Sequence, residues 1–280
     1  MLKEKSKSEQ SLGSDYFTGR TYTVEEIALE TKARHARWVQ EAEEYCNNCG
    51  GYEACKYSGL RPFLDDDGGY WTKKCEVRLA YYRAKEVERL YSSSRLPARF
   101  KSIGFEAMEK TADNANLLKM AQWLIESVSK DGRNGGYIYG ESGRGKTMLV
   151  ACVANELIKK GVGVLFSNSA DLLDDLRPKD NGERTDEKLE KLKAINTLII
   201  DDLGAERLTD WGVEVLYKII NARWGDMKQT IITSNYSLKE LGSHLTVKGD
   251  ETMAQRIYNR LVDMCYEREL KGEDYRLRAK

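Results

Sequence analysis

The sequence predicts an α/β protein, a parallel five-stranded sheet covered by helices and built around a phosphate-binding loop, preceded by a small helical domain with a metal-type cysteine cluster. Three observations carry this. From about residue 136 onward, short continuous apolar strands alternate with longer helical segments, the pattern of strands buried on both faces. GESGRGKT at 140–147 fits G-x-x-x-x-G-K-[ST] without a mismatch, after an apolar strand and at the opening of a helix. Upstream, Cys46, Cys49, Cys55 and Cys75 follow the spacing C-x2-C-x5-C-x19-C.

Residues 1–20 are polar, Ser/Lys-rich and without a hydrophobic period, so a disordered arm is expected there. A capping box at Thr23 and Glu26 opens an amphipathic helix with apolar or small residues at Val24, Ile27, Ala28, Thr31, Trp38, Ala42 and Tyr45. The Cys- and Gly-rich stretch 46–75 breaks that period, with Gly50-Gly51 and Gly68-Gly69 as turn points. A second helix is predicted over about 76–91, and SSSRLP at 92–97 reads as a linker. The expected division is therefore an arm at 1–20, an N-terminal domain at 21–95 and a main domain at 96–280. In the main domain, strands are predicted at 136–139, 162–167, 197–201, 230–233 and 264–270, and helices at 146–159, 170–176, 211–224 and 252–263. The charged run NGERTDEKLEKLK reads as a solvated loop and helix face, and Arg223 and Trp224 as packing residues of a core helix.

Lys plus Arg and Asp plus Glu both number 45, which excludes a bulk electrostatic pull toward nucleic acid; any DNA contact must be local. No apolar run approaches the roughly 18 residues of a membrane span, and MLKEKSKSEQSLGSD lacks the apolar core of a signal peptide. A cytoplasmic location without membrane contact is expected. In that reducing compartment the six cysteines are not expected to form disulfides.

The loop residues Gly140, Glu141, Ser142, Gly143, Arg144 and Gly145 can wrap a phosphate with backbone N–H groups at a helix N-terminus, while Lys146 reaches the terminal phosphates and Thr147 offers a hydroxyl to Mg²⁺. In TLIIDDLG a buried strand ends on two carboxylates. Asp201 is the expected Mg²⁺ residue, on a strand neighbouring the loop, and Asp202 is placed to orient or deprotonate an attacking water. In QTIITSN, expected to be the strand inserted beside the phosphate-loop strand, the amide of Asn235 at the tip can hold that water or sense the terminal phosphate.

The ordered set LPARFKSIGFE, GESGRGKT, IIDDLGAE, LTDWGVEVLYKIINARW, TIITSN, RIYNRL and GEDYR, spanning about 96–276, resembles the DnaC/DnaI-type helicase loaders. These form a branch of the AAA+ P-loop ATPases that also includes the IstB-like transposition helpers. The resemblance implies an ATPase using ATP and Mg²⁺, with Asn235 as sensor, Arg260 as an arginine finger acting on a neighbouring subunit, and Arg276 as a second sensor. Arg256 is the alternative finger, and a helix-surface ion pair involving Asp263 is the structural reading of Arg260. The implied partners are a hexameric replicative helicase gripped by the N-terminal domain, single-stranded DNA, and further copies of the chain through the ATPase domain.

Four thiolates at the observed spacing suit a tetrahedral Zn²⁺; four unrelated reduced thiols and an iron–sulfur cluster are the alternatives. His35 reads as a packed side chain, and Cys152 and Cys265 as buried small hydrophobes. The functions in competition are helicase loading, a transposition helper that assembles on DNA and recruits a transposase, a small-molecule kinase, and a silent adaptor. The Asp-Asp strand, the sensor-like strand tip and the late arginines argue against the kinase, and the intact Lys146, Thr147, Asp201 and Asp202 against the adaptor.

Overall fold

The computed structural model describes residues 11–14, 21–49, 51, 53, 55, 58–67, 69–101, 103–108, 111, 114–128, 132–178, 185–206, 208–246, 251–272 and 274. Two compact units result, Met1–Lys85 and Glu86–Lys280.

In the first unit, β1 (Ser11–Ser14) pairs antiparallel with β2 (Thr21–Thr23), so the arm expected to be disordered contains a short strand. Helix α1 (Val24–Asn47) opens on the anticipated capping box: Glu26 N–H donates to Thr23 Oγ1 at 3.2 Å and Thr23 N–H to the Glu26 carboxylate at 2.9 Å. Its apolar stripe is largely uncovered, and Val24, Ile27 and Trp38 are exposed. The reason is a shortage of partners within the unit, where α1 packs on β2 and on β3 (Leu60–Leu64). β3 pairs with β4 (Tyr70–Lys74) in a hairpin that periodicity alone did not predict, although DDDGG between two short apolar runs is a hairpin signal. Asp65 closes its turn, accepting from Gly69 N–H and from the Trp71 indole N–H, and these bonds, Trp71's first, hold its carboxyl below the usual range. His35 is half-buried with Trp38 and Tyr70, at ring-centroid distances of 5.9 and 4.9 Å.

Helix α2 (Glu76–Ser93) runs through the division between the units. Its last turns belong to the second unit, where Leu90 and then Leu96 are buried in the main core. The stretch expected to be a linker is thus packed in place: Phe166 N–H donates to Ser94 O at 2.7 Å. Two short 3-10 turns follow, Ala98–Phe100 and Phe105–Ala107, then α3 (Ala115–Ser127).

The second unit continues as β5 (Gly135–Tyr139), α4 (Lys146–Lys159), β6 (Val164–Asn168), α5 (Ser169–Leu176), α6 (Thr185–Ala194), β7 (Thr197–Leu203), α7 (Asp210–Gly225), β8 (Gln229–Ser234), α8 (Leu238–Leu245), α9 (Thr252–Met264) and β9 (Cys265–Glu269). The five strands form the expected parallel sheet, in the order β6-β7-β8-β5-β9. Successive strand residues face opposite cores. Ile138, Ile199 and Ile231 pack with α3 and α4, whereas Tyr137, Leu198, Ile200 and Ile232 pack with α5, α7, α8 and α9. Cys152 and Cys265 are buried, as expected of small hydrophobes, and burial pushes their thiols up to about 11 and about 12.

One fully buried cation locks the elements together. Arg223 of α7 has no exposed surface, and Nε donates to Thr230 Oγ1 at 2.9 Å. Nη1 donates to Leu192 O at 2.8 Å and Ile195 O at 2.9 Å, and Nη2 to Asn196 O at 3.4 Å and to Gln229 O. The carbonyls at the C-terminal end of α6 and at the start of β7 and β8 therefore share one donor fork. Burial lowers the guanidinium pKa to about 9, still above neutrality, so the group remains a cation.

Candidate functional site

At the C-terminal ends of β5, β7 and β8 a cavity of about 510 Å³ opens, a size that suits a small-molecule ligand. The phosphate-loop residues form one wall. Gly140 has φ +142°, and a Cβ there would lie 2.5 Å from Leu270 O, so only glycine allows this close approach. Lys146, the first residue of α4, is buried at 6% exposure. Its Nζ donates to Gly140 O at 2.6 Å, Glu141 O at 2.9 Å and Asn235 Oδ1 at 2.8 Å. Arg144 is ion-paired with Glu141 within the loop.

β8 adjoins β5, as expected of the strand inserted beside the phosphate loop, and so separates it from the acidic strand β7, which was expected as a neighbour of the loop strand. The side chains meet across that gap. Thr147 Oγ1 lies 3.1 and 3.0 Å from the two Asp201 oxygens, and Thr233 Oγ1 donates to Asp201 Oδ1 at 2.6 Å. Burial raises the Asp201 carboxyl above its usual range, while the hydroxyls of Thr233 and Thr147 pull it back. A hydroxyl facing a desolvated carboxylate supplies hard oxygen ligands that fit Mg²⁺.

Asp202 is turned into the cavity by an irregular register between Ile200 and Leu203. Its φ is +59°, a left-handed conformation that Asp tolerates better than most residues. The Asp202 N–H donates to Thr233 Oγ1 at 2.8 Å, and Asn235 Nδ2 donates to Asp202 Oδ1 at 3.2 Å. Lys146, Asn235 and Asp202 are therefore joined by consecutive hydrogen bonds, so a change at the lysine end is felt at the second carboxylate.

Arg99 and Phe100 also line the cavity and were not singled out from sequence as site residues. Asn155 of α4 anchors their turn, its Nδ2 donating to Phe100 O and Ile103 O, each at 2.8 Å. The chain's only advance signal for them was their place in LPARFKSIGFE. Asp274 is a second addition: a Cβ on Gly143, whose φ is +82°, would lie 2.0 Å from Asp274 Oδ1, so Asp274 lies directly against the loop.

The predicted arginines stand apart from this group. Arg260 is absent from the cavity lining and lies on α9, where its Nε donates to Asn221 Oδ1 of α7. Arg256, one turn earlier, is exposed. Arg276 lies outside the described residues.

In the first unit, Cys46, Cys49, Cys55 and Cys75 line a single cavity of about 230 Å³. Gly59 N–H donates to Cys55 Sγ at 3.2 Å and Arg78 N–H to Cys75 Sγ at 3.3 Å. Burial raises the Cys46 thiol, Arg61 opposes that shift, and the other three cysteines add to it. Among the described residues, no group of three or more His, Cys, Asp or Glu side chains stands in metal-holding geometry. Gly50 and Gly68, two of the expected turn points, lie outside the described residues.

Residues 82–280 match the family model described as IstB-like ATP binding protein. The chain is 24% identical over 293 residues to the replicative helicase loader DnaI of Bacillus subtilis (strain 168), covering 98% of this chain and 92% of that protein. It is 29% identical over 205 residues to a protein of insertion sequence IS5376 from Geobacillus stearothermophilus, covering 73% of this chain and 79% of the other. Among solved structures, that of DnaI superposes with a TM-score of 0.57 at 27% identity, covering 63% of this chain and 95% of that one. The DnaC helicase loader structure gives a TM-score of 0.53 at 28% identity, covering 62% and 100%.

Proposed function

Because the chain belongs to the IstB-like ATP binding protein family, we propose that it is an ATPase that loads a hexameric replicative helicase onto single-stranded DNA, with ATP binding and hydrolysis switching its hold on the helicase. The observation that carries the ATPase half is the convergence of Lys146, Thr147, Asp201, Asp202 and Asn235 on one cavity.

The loop N–H groups and Lys146 would hold the ATP phosphates, and Thr147 and Asp201 would hold Mg²⁺. The metal would neutralise charge developing on the phosphates. Asp202 accepts a hydrogen bond from the attacking water and Asn235 fixes that carboxylate, while Phe100 offers a ring to the base. A terminal phosphate would take Lys146 Nζ away from its loop carbonyls, and the hydrogen bond to Asn235 passes that change to Asp202. Arg260 of one copy would complete the site of the next, making turnover depend on assembly.

Helicase loading is supported by the extent of similarity: the match to DnaI takes in the cysteine-bearing unit as well as the ATPase core. The match to the insertion-sequence protein, over 73% of the chain, favours the second reading, a helper that assembles on DNA and recruits a transposase. Capture of the host's replicative helicase by the full chain separates them. Stoichiometric capture that differs between ATP and ADP is the expected result; failure to capture it in either nucleotide state moves the function to the transposition helper. Among the described residues no helix is long and apolar enough to cross a membrane.

The first unit is proposed to bind Zn²⁺ through its four clustered thiols and to dock the helicase. Among its described residues, Ala42 and Pro62 are the apolar side chains that are buried, so the unit has little core of its own and gains most from a metal crosslink. Elemental analysis of the full chain is expected to give one zinc per chain, lost in Cys49→Ser and Cys75→Ser. Absence of zinc and iron from the purified chain would leave four reduced thiols.

A further inference from the structure

We propose that Trp224, together with Asn221, is a positioning residue for Arg260, holding its guanidinium at the surface that meets the nucleotide of a second copy of this chain. The inference rests on the proposed role of Arg260 across subunits and adds the residues that make that role geometrically available.

Tyr217, Asn221 and Trp224 follow one another at helical spacing on α7, on the side that packs against α9. The Arg260 guanidinium lies over the Trp224 ring at 4.7 Å from its centroid and 5.7 Å from that of Tyr217. Its Nε donates to Asn221 Oδ1. The indole is itself tied down, because Trp224 Nε1 donates to the Asp263 carboxylate on the next turn of α9. Asp263, the one acid named from sequence as an ion-pair partner for this region, therefore serves the indole. Among the described residues Arg260 makes no ion pair, and its Nη1 and Nη2 have no hydrogen-bond acceptor.

A salt bridge that merely stapled two helices would place the two Nη groups on a carboxylate. Here the structure does the reverse: the ring face and Nε fix the plane, and the bidentate edge is left unspent. That edge matches two oxygens of a phosphate, and a planar fork loses less freedom per bond formed than a lysine would. Trp224 is 40% exposed, so the stack lies at the surface, where a second copy can reach it. Arg260 does not line its own chain's cavity, leaving a neighbour's nucleotide as the phosphate it can serve.

The test compares Trp224→Ala, Trp224→Phe, Asn221→Ala, Arg260→Ala and the double variant Trp224→Ala/Arg260→Ala in the full chain. ATP turnover is measured across concentrations that span self-assembly, with single-stranded DNA present, alongside ATP affinity, assembly by light scattering and thermal melting. Trp224→Ala is expected to lower kcat on the order of ten- to a hundredfold with the KM for ATP and assembly unchanged, the scale of a reacting group displaced by about an ångström. Trp224→Phe keeps a ring and should retain most of the turnover, which a loss of packing alone would not distinguish so sharply. The double variant should be no slower than Arg260→Ala. Normal turnover in both Trp224→Ala and Asn221→Ala beside a slow Arg260→Ala would overturn the positioning role while leaving the finger in place. Multiplicative losses in the double variant would overturn it equally. Full turnover in Arg260→Ala would remove the finger and this inference together, and a loss in Arg256→Ala would then move the finger to that residue.

Discussion

Replacing Lys146 by alanine is expected to abolish measurable nucleotide binding, weakening ATP affinity by at least about a hundredfold. Lys146 is a buried cation in a cavity that also holds Asp201 and Asp202, and in the proposed function it is the group that reaches the terminal phosphates. Charged hydrogen bonds contribute about 1.5–3 kcal/mol each, and every 1.4 kcal/mol is about tenfold in affinity. The loss exceeds one bond because the two carboxylates then face the phosphates without a compensating charge. In the free protein the same ammonium ties Gly140, Glu141 and Asn235 together, so the variant also loosens the loop. Binding of a fluorescent ATP analogue with Mg²⁺, with circular dichroism to confirm the fold, checks this. Affinity equal to that of the parent chain would remove the basis for the site.

The largest expected effect on stability is at Arg223, which does not line the cavity. Arg223→Leu should destabilise the chain by at least about 3 kcal/mol, the cost of leaving several buried carbonyls without a donor. For a unit of this size that corresponds to a melting point lower by about 6–12 °C. Arg223→Lys keeps the charge but offers one nitrogen in place of a fork that spans Leu192, Ile195, Asn196 and Gln229, so it should fall between the two. Urea unfolding checks this through a shift in midpoint at constant slope.

Arg223 also shows where sequence reading stops. An arginine beside a tryptophan in a helix reads as a packing position, and nothing local announces that carbonyls some 30 residues upstream will converge on it. The sheet was legible because its strands are continuous apolar runs and its motifs sit at strand ends, where backbone geometry leaves little choice. Strand order was legible only in part: β8 lies beside β5 as expected, but that it separates β5 from β7 depends on long-range pairing, although Thr147 still reaches Asp201. The helices α3 and α8 were not assigned although both carry buried apolar residues at helical spacing, α6 was read only as the helix face of a charged run, and the β3–β4 hairpin was missed because its strands are short and β4 has no buried face. At the site, Lys146, Thr147, Asp201, Asp202 and Asn235 came together as their strand and loop motifs imply, whereas Arg99, Phe100 and Asp274 sit in quoted stretches, LPARFKSIGFE and GEDYR, whose residue types gave no sign that they fold back onto the cavity or its loop. The chemistry of Asp202 was foreseeable from its type, but its left-handed backbone and the register irregularity that aims it were not.

In the proposed function, ATP occupancy of this cavity places a helicase on DNA. Its most direct test measures transfer of the host's replicative helicase onto circular single-stranded DNA by the full chain, with Lys146→Ala as the control. Transfer that requires ATP and is lost in the variant is the predicted result. Transfer at the same rate without ATP, or undiminished in Lys146→Ala, would contradict it.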